Sequence, residues 1–199
     1  MQEFKTIIGI VAIILTFIGY VPYLRDVIKG KTIPHVYSWF LWGFVTLIAF
    51  AIQVSTGGGI GAFVTLTAAV MCVVVFTLGI KNKAKRQITK IDTLFFILAL
   101  VALGFWLIAR QPVISAILAT GIDLLGFAPT VRKSWNKPHS ETLSFYFLNT
   151  IRFGLAVISL QTYSITTALY PVVWIFGNGI FALILLVRRQ QIRKTRKAV

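Results

Sequence analysis

A chain of 199 residues in which 57% are hydrophobic and only 13% charged is too apolar for an ordinary soluble domain, whose charged share is about 25%. The net charge of +15 would point to nucleic acid if the basic residues formed a stripe on a soluble fold; they alternate by loop instead, so no nucleic-acid partner is expected. Seven apolar runs of spanning length use most of the chain and leave no room for a soluble domain, which predicts an all-α integral membrane protein.

The first run, 6–24, ends in Gly19-Tyr20-Val21-Pro22-Tyr23-Leu24-Arg25 and passes into a basic turn, Lys29 to His35. It lacks a clear small-residue cleavage site and is read as retained. The second run, 36–54, opens with Ser38-Trp39-Phe40-Leu41 and carries Trp42, and Ser55 to Gly59 then reads as a tight outer reversal. The third, 60–80, contains the single cysteine, Cys72, read as a small apolar filler. A strongly basic loop with Lys81, Lys83, Lys85, Arg86 and Lys90 leads to the fourth run, 91–109, with Gly104 and Trp106.

The fifth run, 112–131, repeats the ending of the first as Gly126-Phe127-Ala128-Pro129-Thr130-Val131-Arg132. The turn from Asn136 to Thr142 and the opening Ser144-Phe145-Tyr146-Phe147 of the sixth run, 143–162, repeat the start of the second. The seventh run, 166–187, precedes a charged tail read as disordered and in contact with anionic lipid headgroups. Matching positions lie about 107 residues apart.

Runs one to three are thus echoed by five to seven, with run four alone. Three helices reverse the direction of the chain across a bilayer, so one extra helix makes the two triples parallel. The expected domains are a first three-helix bundle at 1–86, a linker helix at 87–110, a second bundle at 111–187 and a basic tail at 188–199. With the amino terminus outside, seventeen of the twenty Lys and Arg residues fall on the inner side. This places the carboxyl terminus in the cytoplasm.

The Gly-aromatic-x-Pro helix ending, the basic turn and the following Ser-aromatic run resemble the PQ-loop superfamily, which includes SWEET sugar transporters, SemiSWEETs and lysosomal amino-acid exporters. The 3 + 1 + 3 plan resembles that family over essentially the whole chain. The glutamine that names the motif is replaced by Tyr23 and Thr130, and the second and sixth runs lack the prolines of SWEETs. That leaves Pro22 and Pro129, each read either as a helix terminator or as a hinge that opens a bundle toward the cytoplasm. The resemblance also implies that an asparagine on the third helix of a bundle lines a sugar pocket, and Asn178 matches that position; the first copy has Met71 there.

Ionisable residues inside a span are costly and therefore candidates for function. Asp123 and Arg152 are such residues, and the first copy places Thr16 and Thr46 at the corresponding positions. At about 1.5 Å per residue, Asp123 and Arg152 each lie about 12 Å from the inner ends of their helices, and Asn178 slightly deeper. Three readings stay open: the pair is a structural salt bridge, Asp123 takes up a proton or a substrate cation with Arg152 setting its protonation, or one of the two faces water near a helix end. Asn178 stands between Gly177 and Gly179, which let a neighbouring helix or a ligand approach closely, and Asn149 precedes Arg152 by one turn. Trp42 and Trp174, with Trp39, stack on a sugar or fill the bundle.

The expected function is a transporter moving a small polar solute, a sugar first, by alternating access. Substrate contacts are assigned to Asn178, Trp174, Asn149 and Trp42, and coupling or gating to Asp123, Arg152, Pro22 and Pro129. The alternatives are a proton-coupled amino-acid or small-metabolite transporter using Asp123, and a non-transporting receptor or assembly factor. No nucleophile–base pair or phosphate loop is present, so no enzyme is expected; His35 and His139 lack a second ligand in spacing, so neither a metal nor a cofactor is. The expected partners are the solute and membrane lipids, with a homo-oligomer left open, and the expected location is a plasma membrane, namely a bacterial inner one.

Overall fold

The computed structural model describes residues 2–81, 89–91, 93–94, 96–98, 100, 108 and 111–197, with side chains as far as Arg193. Six α-helices are complete: α1 (Gln2–Ile28), α2 (Val36–Ser55), α3 (Ile60–Lys81), α4 (Pro112–Asn136), α5 (Leu143–Ser159) and α6 (Ile165–Lys197). A 3₁₀ turn, Pro138–Ser140, joins α4 to α5. All of these but α5 contain a stretch long and apolar enough to cross a membrane; α5 is apolar but only 17 residues long. The chain is a multi-pass, all-helical membrane protein. Most of the linker run 91–109, with Gly104, Trp106 and the basic residues Lys83, Lys85 and Arg86, lies outside the described residues. Phe96 of that run stacks on Tyr37 of α2 at 4.6 Å.

Each helix buries a stripe rather than a whole circumference. In α1 the buried residues are Gly9, Ala12, Thr16, Gly19, Tyr20, Tyr23 and Val27, three or four apart, whereas Ile7, Ile10, Ile14, Phe17 and Val21 are exposed. A continuous apolar face along a helix of spanning length is costly in water and suited to lipid, so these exposed side chains form the lipid face.

The two triples pack alike. In the first, α3 stands between α1 and α2, and in the second α6 stands between α4 and α5. Across the seam, α1 packs on α5 and α2 on α4. Small residues make the central position of α3 feasible: Gly61, Ala62, Ala68 and Ala69 are buried along it. A Cβ on Gly61 would stand 3.0 Å from the Ala156 carbonyl oxygen of α5, so a larger residue would need α5 to give way by a few tenths of an ångström.

Three expectations change. Pro22 and Pro129 do not end their helices, because α1 continues to Ile28 and α4 to Asn136. A third proline, Pro171, lies inside α6. The tail is not irregular, since α6 runs on through it to Lys197, and Arg188 donates to the Trp135 carbonyl at 3.0 Å.

Candidate functional site

A cavity of about 40 Å³ lies on the seam between the triples. Asp123 from α4, Asn149 and Arg152 from α5, Trp174 and Asn178 from α6, and Trp42 and Thr46 from α2 all face it, and Tyr20, Cys72, Phe153 and Tyr170 complete much of the wall. Six of the eight residues singled out in the sequence therefore meet at one place. Pro22 and Pro129 do not line the cavity; each removes a backbone donor about two turns short of its helix end, which leaves the carbonyls of Ile18 and Leu125 without their helical partner.

Asp123 is 1% exposed and Arg152 3%. No ion pair joins them among the described residues, so the salt bridge considered above is absent. The Asp123 carboxylate accepts at Oδ2 from the Trp174 indole N–H at 2.7 Å and from the Tyr170 hydroxyl at 2.9 Å. Tyr170 pairs in turn with Thr46 Oγ1 at 2.8 Å, and Trp42 donates to the Asp123 backbone carbonyl at 3.2 Å. Arg152 donates from Nε to Asn149 Oδ1 at 2.8 Å, and its guanidinium carbon lies 3.9 Å from the centre of the Phe153 ring. Three atoms of lining residues are buried without a hydrogen-bond partner: Asp123 Oδ1, Arg152 Nη1 and the indole nitrogen of Trp39.

The glycines beside Asn178 have separate reasons. At Gly177 a Cβ would meet the Trp174 ring of the same helix at 3.2 Å, so its absence makes room for the indole that reaches Asp123. Gly179 faces Thr150 of α5 at ordinary contact distance. Asn178 donates to the Trp174 carbonyl at 2.8 Å.

Both ends of the seam are tied across the triples. Toward the basic-turn side, aromatic rings of Tyr20, Trp39, Phe145 and Tyr146 form a layer, with Tyr20 and Phe145 centred 4.8 Å apart. Beyond it Glu141 is buried and ion-paired with Lys133, whose ammonium also donates to the Ile33 carbonyl of the opposite triple. The other carboxylate oxygen of Glu141 accepts from Tyr23 at 3.2 Å and Tyr146 at 2.9 Å. Thr32 pairs with Thr142 at 2.6 Å, and the Ile33 N–H donates to the Ser140 carbonyl at 3.2 Å. At the opposite end Gln53 of α2 donates to the Thr167 carbonyl of α6 at 3.0 Å. That carbonyl would bond residue 171 in an unbroken helix, and Pro171 has no N–H to give it. Gly59, with φ +61, packs where a Cβ would overlap Gln161 of the other triple.

Sequence reading missed the Glu141–Lys133 centre. Both residues stand in or beside a polar turn, where Lys133 counts as one more inner-side cation, and nothing in the local pattern marks them as buried. Comparison of the chain with models of known protein families, with curated proteins and with solved structures finds no match.

Proposed function

We propose that the chain is a membrane transporter that carries a small polar solute by alternating access between its two helix triples. The observation that supports this most is where the polar groups lie: Asp123, Asn149, Arg152 and Asn178 converge in a small cavity on the seam of an otherwise apolar bundle. Charges there are expensive to keep, and apolar replacements would serve packing at least as well. The tie across each end of the seam fits a cycle in which one mouth opens at a time. On this reading the Glu141–Lys133 centre closes the cytoplasmic mouth, the Gln53–Thr167 bond and the Gly59 contact close the outer one, and α1 and α4 flex at Pro22 and Pro129, where a helical hydrogen bond is missing.

The proposal includes the finer topology: seven spans, run four joining two parallel repeats, amino terminus outside and carboxyl terminus in the cytoplasm. The like packing of the triples and the distribution of Lys and Arg support it. So does the resemblance of the two Gly-aromatic-x-Pro endings to the PQ-loop superfamily. The short turns favour a bacterial inner membrane. For a sugar, the Trp42 and Trp174 rings and the Asn149 and Asn178 amides would provide stacking and hydrogen bonds.

The test is uptake of labelled sugars and amino acids into proteoliposomes of the purified chain, with and without an inward proton gradient. Saturable uptake of one solute class is expected. Uptake that rises with the gradient would assign the coupling to Asp123, and the absence of any uptake or counterflow would refute transport.

A further inference from the structure

At the end that carries the basic turns, α4 and α6 leave an apolar groove of about 330 Å³ between them. Ile180, Leu183, Ile184 and Val187 of α6 line it from one face of the helix, and all but Ile184 are more than half exposed. From Ile180 to Val187 the helix rises about 10 Å. Trp135 of α4, itself 51% exposed, closes the groove together with Arg188 and Gln191. Trp135 also lines the neighbouring groove of α4, with Arg132. The comparable groove along α2, between Phe44 and Ser55, has no charged residue in its wall. Arg188 is held in place but not neutralised. Its Nε donates to the Trp135 carbonyl at 3.0 Å, its Nη1 to Gln191 Oε1 at 2.8 Å, and its guanidinium carbon lies 5.0 Å from the centre of the Trp135 ring. No carboxylate pairs with it among the described residues. Glu141, buried against Lys133, is the only acid in the chain after Asp123, whereas six of the last twelve residues are Lys or Arg. The next residue, Arg189, donates from Nε to the Pro138 carbonyl at 3.0 Å and from Nη2 to the Glu141 carbonyl at 2.5 Å. Two successive arginines of α6 thus tie that helix to the end of α4 and to the turn that carries Glu141.

We infer that the groove between α4 and α6 is a binding site for one anionic phospholipid, whose phosphate sits on Arg188 beside the Trp135 indole and whose acyl chain lies along Ile180, Leu183, Ile184 and Val187. The bound lipid steadies the turn that carries Glu141 through Arg188 and its neighbour Arg189. Each part of the site matches one part of such a molecule. A guanidinium stays charged at any working pH and meets phosphate oxygens with paired N–H donors. Tryptophan rings settle at the headgroup level of a bilayer, where one edge is wet and the other apolar. The exposed aliphatic floor is costly in water and is covered by hydrocarbon. A soluble phosphate ester would satisfy the arginine and leave that floor bare. A zwitterionic headgroup brings a cation of its own, which finds Arg132, Arg193 and the rest of the basic tail nearby and no acid to receive it. A lipid that carries net negative charge meets no such repulsion.

The test uses the full-length protein, delipidated in a neutral detergent, and reads the quenching of its tryptophan fluorescence by phosphatidylglycerol brominated on the acyl chains. Saturable quenching is expected, at least about tenfold tighter than with brominated phosphatidylcholine of the same chains. The larger part of it should vanish in Trp135→Phe. Arg188→Gln should weaken binding at least about tenfold, whereas Arg193→Gln, which removes the same charge from the same helix outside the groove, should weaken it less than about threefold. The lipid series is read on the unaltered protein, so it stands even where Arg188→Gln folds poorly. Equal affinity for the two lipids overturns the site. Equal losses in the two arginine variants overturn it too, because they mean diffuse attraction to the tail. Displacement of the lipid by glycerol phosphate at equal concentration would give Arg188 to a soluble phosphate ester, and a dimer that Arg188→Gln dissociates would give the groove to a second copy; either result overturns the lipid. Amide exchange across 136–141 should slow at least about threefold with phosphatidylglycerol bound, and an unchanged rate would overturn the hold on the turn.

Discussion

Glu141→Ala is the perturbation that tests the inner closure most directly. The substitution removes the acceptor shared by Lys133, Tyr23 and Tyr146 and leaves the Lys133 ammonium with the Ile33 carbonyl alone. Breaking a buried pair by removing one partner costs about 3–5 kcal/mol. The closed arrangement must bear that cost because Lys133 is buried within it. Once the mouth opens, the ammonium reaches water and the cost is relieved, so the balance shifts toward the open state. At about 1.4 kcal/mol per factor of ten, the shift is at least about a hundredfold if the open state relieves all of it. The chain carries its own reporter: Cys72, its single cysteine, lines the cavity and is 5% exposed. Alkylation of Cys72 by a small maleimide, added from the side of the basic turns, should be slow in the unaltered protein and at least tenfold faster in Glu141→Ala. Lys133→Met combined with Glu141→Gln removes both charges and should bring the rate most of the way back, because an apolar replacement of a buried pair is often close to neutral. A folded Glu141→Ala protein whose Cys72 reacts no faster would refute the assignment of this centre as a closure.

Gln53→Leu should lower the melting temperature of the purified protein by an amount equivalent to about 1–3 kcal/mol, since the Thr167 carbonyl loses its donor while buried. The loss should shrink in a Pro171→Ala background, where residue 171 regains the N–H that an unbroken α6 would give to Thr167; equal losses in both backgrounds would disprove the explanation. Gly59→Ala places a Cβ at positive φ and against Gln161, and a drop worth more than about 1 kcal/mol in thermal unfolding is expected. Trp174→Phe keeps most of the ring but removes the N–H bonded to Asp123 at 2.7 Å; solute affinity in a binding titration should weaken about tenfold, and an unchanged affinity would show that the carboxylate needs no fixing by the indole.

Much of the architecture is written in local pattern. Apolar runs of spanning length mark membrane helices because backbone polar groups must be satisfied within each segment. The helix limits at 36–55 and 60–81 differ by a residue or so from those read from hydropathy. The gathering of Asp123, Arg152 and Asn178 was also legible, since charges in apolar runs at equal depth have few places to go but a shared interior. The sequence could not say how these groups pair. Whether Asp123 meets Arg152 or Trp174 and Tyr170 depends on the rotation of α4 against α6, which hydropathy does not encode. Tertiary structure alone decided that Lys133 and Glu141 are buried, because their burial comes from the turn of the opposite triple folding over them. It alone revealed why Pro171 is tolerated inside α6: the carbonyl it abandons is satisfied by Gln53, a residue 114 positions away along the chain. Patterns of neighbouring residues determine which segments enter the membrane; the partners of each buried polar atom are set by helices distant in sequence, and only their packing brings those partners within reach.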